Sequence, residues 1–228
     1  MARWRTRGPQ VHERLVATPV GTARLDWYAA AGAQRATVVL GHGTATGVEA
    51  ADLQALARAL PPLGIEVVLV TQPYRVEGNY DVADEPSLDR AWTAVWPAVS
   101  GGGVPVVAGG RSAGSQVACR TARALDAHSV LALAYPLLGP GSPIELLATG
   151  RPTLIVQGGA DPFGCPDHFP KLPPEIELVE IPAANHMFAT PSHEGPDPLT
   201  QLTYAVIEWL DRRLRLPGND PELVVQTA

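Results

Sequence analysis

The sequence predicts an α/β fold: a mostly parallel sheet of about seven to eight strands, helices on both faces, and an antiparallel hairpin at the start. Two observations lead there. Short runs that are largely apolar recur along the chain, at 36–43, 65–70, 129–136, 153–157 and 176–182, with a Val-rich run from 104. Between them lie stretches whose apolar residues repeat at helical spacing. Strands without polar alternation need cover on both faces, and the intervening helices supply it.

Taken in order, VHERLVAT and TARLDWYA flank Pro19-Val20-Gly21, a compact turn, so 11–29 is expected to form a hairpin. ATVVLGHG halts at Gly41-His42-Gly43, and a helix follows with Leu53, Leu56, Ala57 and Leu60 on one stripe. Pro61-Pro62 stops it. After IEVVLV comes a polar stretch from Thr71 to Pro86. A second helix then carries Leu88, Trp92, Val95, Trp96 and Val99 on one face, with Ser87 as the expected N-cap. The last helix opens at Asp197-Pro198, a cap followed by a proline suited to a first helical turn. No repeat or linker divides the chain, so one domain over 1–228 is expected, with 1–10 and 217–228 as loose ends.

The bulk numbers narrow the function. A chain of 228 residues is long enough for one well-buried α/β domain. A net charge of −6 argues against a nucleic-acid surface. No run approaches the roughly 18 apolar residues of a membrane span, and the basic start MARWRTRGPQ lacks the apolar region of a secretory signal. Cys119 and Cys165 make neither a disulfide framework nor a metal cluster. A cytoplasmic protein, monomeric or homodimeric, without partners among membranes or nucleic acids, is the expectation.

The chemistry centres on VPVVAGGRSAGSQVACRTARAL, 104–125. A strand breaks at Gly110-Arg111-Ser112-Ala113-Gly114 and a helix begins, which is the G-x-S-x-G pattern. A serine on so sharp a turn needs glycines two positions away, where strand and helix backbones nearly touch. The helix N-terminus then faces negative charge formed at the serine. A serine hydroxyl needs a base, and a histidine base needs a carboxylate to fix its tautomer. Asp161 and His186 follow Ser112 in that order, each just after an apolar strand. Asp167 and Glu145 do not directly follow strands; His168 and His193 lie in loops, and His128 precedes a strand. His42 comes before the serine and is expected to brace its loop through its ring nitrogens. The oxyanion donors expected of this arrangement are the N–H groups of Ala113 and Thr44, with Ala45 the other candidate.

These motifs resemble the α/β-hydrolase superfamily over roughly residues 11–215: Gly-His-Gly-Thr at 41–44, Gly-Arg-Ser-Ala-Gly at 110–114, Gly-Gly-Ala-Asp-Pro-Phe-Gly at 158–164 and Asn-His-Met-Phe at 185–188. The acid segment is similar to that of small dienelactone-hydrolase-like members, and Gln72-Pro73-Tyr74-Arg75 resembles a bacterial branch related to testis-expressed-type hydrolases. Two departures stand out. Dienelactone hydrolases proper use a cysteine nucleophile where this chain has Ser112, and residues 137–151 leave room for little more than one short helix as a cap.

The resemblance implies a serine hydrolase acting on an ester, thioester or lactone of a small-molecule acyl substrate. Ser112 would be the nucleophile, His186 the base and Asp161 its partner. No metal and no organic cofactor are implied. Tyr74, Leu137, Leu138, Phe163, Met187 and Phe188 are expected to edge an open cleft, with packing under loops the competing account. Arg75 would either meet a substrate anion or hold the acidic loop of Glu77, Asp81, Asp84 and Glu85. Three other activities share the fold: a cyclase or acyltransferase using the same acyl-enzyme, a non-catalytic interaction protein, and a small-molecule receptor.

Overall fold

In the computed structural model, residues 11–79, 83–139, 141–191 and 195–214 are described. The expected loose ends, Asp81 and His193 lie outside them. Among the described residues, eight strands form one sheet in the order β1-β2-β4-β3-β5-β6-β7-β8. β1 (Val11–Thr18) and β2 (Gly21–Tyr28) make the expected hairpin, and β2 pairs antiparallel with β4 (Ile65–Thr71). From β4 onward the neighbours are parallel: β3 (Ala36–Gly41), β5 (Val106–Arg111), β6 (Ser129–Leu133), β7 (Thr153–Gly158) and β8 (Ile176–Ile181). The carboxyl ends of these parallel strands therefore share one edge.

The central strands are buried along their whole length because alternate side chains enter two separate cores. On β3, Val38 and Leu40 pack on one face with Leu53 and Leu56 of α1 (Ala51–Ala59) and Trp209 and Leu210 of α6 (Pro198–Leu214). Val39 points the other way, into a core with Trp92 and Val95 of α3 (Glu85–Val99) and Val117 of α4 (Ala113–Thr121).

The structure corrects the expected start of α3. Asp84, not Ser87, is the N-cap, and its carboxylate accepts from the Ser87 N–H at 3.0 Å. Pro86 then falls in the first turn, where its missing N–H costs nothing. The polar stretch after β4 also holds a four-residue helix, α2 (Pro73–Val76). Among the described residues, the segment after β6 carries one five-residue helix, α5 (Pro143–Leu147), the minimal cap that its length implies.

Cys119 packs inside α4's buried face, where burial pushes its thiol up to about 12, helped by the nearby Glu145. Cys165 is partly exposed, with Sγ 3.1 Å from His168 Nδ1. Iodoacetamide at pH 8 should therefore add once to the native protein, at Cys165, and a second time only in denaturant, read by intact mass. Two native adducts would show that the α4 face opens.

Candidate active site

Ser112 joins β5 to α4 with φ 50° and ψ −121°, a left-handed conformation that a residue with a β-carbon adopts only at a cost of about 1–3 kcal/mol. What holds it there is the closeness of its neighbours. A β-carbon on Gly110 would lie 2.6 Å from the Gly41 carbonyl oxygen, and one on Gly114 would overlap the same carbonyl. β3, β5 and α4 thus touch backbone to backbone around the serine, whose own N–H donates to the Leu133 carbonyl at 2.9 Å.

His186 reaches this turn from the loop after β8. Gly158, at the end of β7, makes room for that loop: a β-carbon there would strike the Ala184 carbonyl and come within 2.8 Å of that of Asn185. The Ala160 N–H donates to the Ala184 carbonyl at 2.9 Å and ties the two loops together. As a result His186 Nδ1 lies 2.8 Å from Asp161 Oδ2, and His186 Nε2 lies 3.1 Å from Ser112 Oγ. A carboxylate only accepts, so Nδ1 carries the proton and Nε2 is left to accept from the serine hydroxyl. The Asp161 side chain is fully buried, and its other oxygen accepts the Phe163 N–H at 2.8 Å.

A cavity of about 140 Å³ opens beside Ser112, lined by Thr44, Ala45, Arg111, Ala113, Gln116, Pro136, Phe163, His186 and Met187. Thr44 and Ala113 thus flank the serine, and the N–H of Ala113, the first residue of α4, has no helical carbonyl behind it to bond. The Phe163 ring packs 4.7 Å from that of His186. Tyr74, Arg75, Leu137 and Phe188, also expected at the cleft, lie elsewhere. Tyr74 is buried against His42, with ring centres 5.9 Å apart. Arg75 reaches Glu49 at 3.9 Å, and Glu49 in turn accepts the Gly47 N–H at 2.8 Å, so this cation braces the loop between β3 and α1. Leu137 is buried under Gly164, and Phe188 faces the core. In each case the apolar or cationic chain finds closer cover under a loop than at the cavity mouth.

His42 has the bracing part expected of it. Its Nδ1 donates to the Gly43 carbonyl at 2.7 Å and its Nε2 accepts the Gln72 N–H at 3.1 Å. Burial holds its pKa below the ordinary histidine range, opposed by the Gly43 bond and assisted by the Arg75 charge.

Two site residues escape the sequence reading. Gln157, wholly buried on β7, donates to Asp161 Oδ2 at 2.9 Å and to the Gly164 carbonyl at 2.6 Å, and accepts the Tyr135 N–H at 2.9 Å. Arg111, 1% exposed, pairs with Asp52 at 2.9 Å. Each is a polar residue ending an apolar run, and that anomaly is the signal that marks them. Among the described residues no group of three or more His, Cys, Asp or Glu side chains is placed to hold a metal ion, and no helix is long and apolar enough to cross a membrane.

This geometry is that of an α/β hydrolase. The sequence profile of the alpha/beta hydrolase domain matches residues 34–211, and the chain belongs to that family. Among solved structures it is similar to XC6422 of Xanthomonas campestris, described as a serine hydrolase without lid, at 22% identity and a TM-score of 0.75, covering 96% of this chain and 100% of that one. A dienelactone hydrolase from Anabaena variabilis matches at 22% identity and TM-score 0.72, over 92% of this chain and 100% of the other. Est1E from Butyrivibrio proteoclasticus, solved with ferulic acid, matches at 14% identity and TM-score 0.70, over 88% and 99%. No curated protein sequence matches the chain.

Two outcomes follow. Glycine accepts the backbone of Ser112 and alanine does not, so Ser112→Gly should be more stable than Ser112→Ala by about 1 kcal/mol in urea unfolding. For His42, the unfolded ring takes a proton near pH 6.5 while the folded ring resists it. Its contribution is present above about pH 6.5 and is lost as pH falls below that, by up to about 1.4 kcal/mol per unit. Urea midpoints measured between pH 7.5 and 5.5 should decline less steeply in His42→Asn than in the native chain.

Proposed function

We propose that this chain is a serine hydrolase that cleaves an ester, thioester or lactone of a small molecule through an acyl-enzyme on Ser112. The observation that carries the reading is the chain Asp161 Oδ2, His186, Ser112 Oγ, with contacts of 2.8 and 3.1 Å, beside an open cavity. In this reading His186 Nε2 takes the hydroxyl proton as Oγ attacks the carbonyl carbon. Asp161 holds the Nδ1 proton and stabilises the imidazolium. The Ala113 and Thr44 N–H groups, at the positive end of α4 and on the β3–α1 loop, receive the oxyanion. His186 then passes its proton to the leaving group, activates a water, and returns Ser112 to its starting state.

The small cavity beside Ser112, about 140 Å³, suits an acyl group of a few carbons. Phe163 and Met187, exposed in its lining, and Leu138 beside them offer apolar surface to the remainder of the substrate.

A fluorophosphonate should add once to the native protein and not to Ser112→Ala, read by intact mass. With p-nitrophenyl esters, Ser112→Ala should lose at least about 10⁴-fold in kcat. Acetyl and butyryl esters should exceed decanoyl by about tenfold or more in kcat/KM. A well-folded native protein that neither takes the probe nor turns over any ester would overturn the reading, and added alcohol or amine acceptors would reveal acyl transfer in its place.

A further inference from the structure

The residue that immediately precedes the serine reaches three other segments of the site. From the end of β5, Arg111 donates through Nε to Asp52 Oδ2 at 2.9 Å, through Nη1 to Thr46 Oγ1 at 3.2 Å, and through Nη2 to the His186 carbonyl at 2.6 Å. Met187 Sδ lies 3.4 Å from the same Nη2. Both side chains of the Arg111–Asp52 pair are almost fully buried, and Asp52 is itself fixed because its other oxygen accepts the Leu53 N–H at 2.9 Å. Gly43 adjoins this cation, since a β-carbon there would stand 3.0 Å from Nη1 and 3.2 Å from Ser112 Cβ.

The loop that carries His186 needs such an anchor. Ala183 and Phe188, on either side of His186, have φ of 55° and 52°, conformations that side chains with a β-carbon hold only under constraint. Asn185 Oδ1 secures the far side by accepting the Met187 and Ala189 N–H groups at 2.9 and 3.1 Å. The carbonyl of His186 itself is held by Arg111. Fixing that peptide plane fixes the direction in which the imidazole leaves the backbone, and hence the distance from Nε2 to Ser112 Oγ.

We propose that Arg111 is a positioning residue for the base: its guanidinium joins the nucleophile turn, the β3–α1 loop and the His186 loop so that the three hold one spacing. The inference rests on the proposed hydrolase reading for its kinetic consequence, though not for its geometric one. The planar fork is essential to it, because a lysine ammonium keeps the charge opposite Asp52 but carries its three donors on one nitrogen, which cannot reach the separate partners that Nε, Nη1 and Nη2 meet.

The test compares the native protein with Arg111→Lys, which preserves the ion pair with Asp52. A second variant, Arg111→Met with Asp52→Asn, removes both charges so that none is left buried alone. Two quantities are measured on folded protein, verified by circular dichroism. The first is the low-field proton resonance of His186 Nδ1–H bonded to Asp161, which needs no turnover. The second is hydrolysis of p-nitrophenyl acetate. The expected result is a shifted or broadened resonance in both variants, with kcat down about 10- to 100-fold and KM within about twofold. An unchanged resonance in both variants overturns the proposal, as does unchanged kcat, or a rise in KM alone, which would make Arg111 a substrate contact. A native protein that shows the resonance but hydrolyses nothing counts against the hydrolase reading alone, and the resonance then decides the role of Arg111.

Discussion

The Gly41 carbonyl occupies space that β-carbons on Gly110 and Gly114 would need. That contact lets β3, β5 and α4 meet with no side chain between them, and the turn at Ser112 is sharp because of it. The positive φ of Ser112 is the local cost, offset by three elements packed at backbone distance and by the Ser112 N–H bond to Leu133. From this contact come the exposure of the hydroxyl, the aim of α4's N-terminus and the nearness of the loop that begins at Gly41. A side chain at Gly110 or Gly114 would separate these together.

Around this point the structure uses buried polar groups as struts rather than as reactants. His42 links its own loop to the start of the segment after β4, Arg75 and Glu49 stiffen the next few residues, and Gln157 holds the buried carboxylate of Asp161 against the Gly164 carbonyl. Buried donors and acceptors are costly unless paired, so each strut specifies one arrangement of loops and penalises the alternatives. The apolar side chains at the mouth, Leu138, Phe163 and Met187, stand exposed by comparison. Rigid polar scaffolding beneath a more open apolar rim suits a site that fixes the reacting bond tightly and the rest of a molecule loosely.

Much of this was legible in the residues. Runs such as Val38-Val39-Leu40 and Val67-Val68-Leu69-Val70 state that both faces are covered, because each alternate side chain must find apolar surroundings. The hairpin, the strand edges and the cap at Asp197 follow from local chemistry, and so do Ser112, Asp161 and His186, each placed just past an apolar strand. Where local signals competed, the outcome was less readable. Asp84 and Ser87 are both residue types that cap helices; the carboxylate of Asp84 reaches the Ser87 N–H and starts the helix three residues earlier, with Pro86 tolerated inside the first turn.

Chain order and residue type therefore specify the sheet, the turn at Ser112 and the identity of its two partners, because these depend on spacing along one strand or one turn. The inward faces of the loops depend on contacts between segments far apart in the chain. Tyr74 and Arg75 turn to His42 and Glu49, and Leu137 sits beneath Gly164. Arg111 reaches a carbonyl 75 residues away, a contact that no periodicity encodes. Such pairings arise when the folded sheet brings its strand ends to one edge, and the need to satisfy each buried polar group then selects which of the converging side chains support the site and which remain at its mouth.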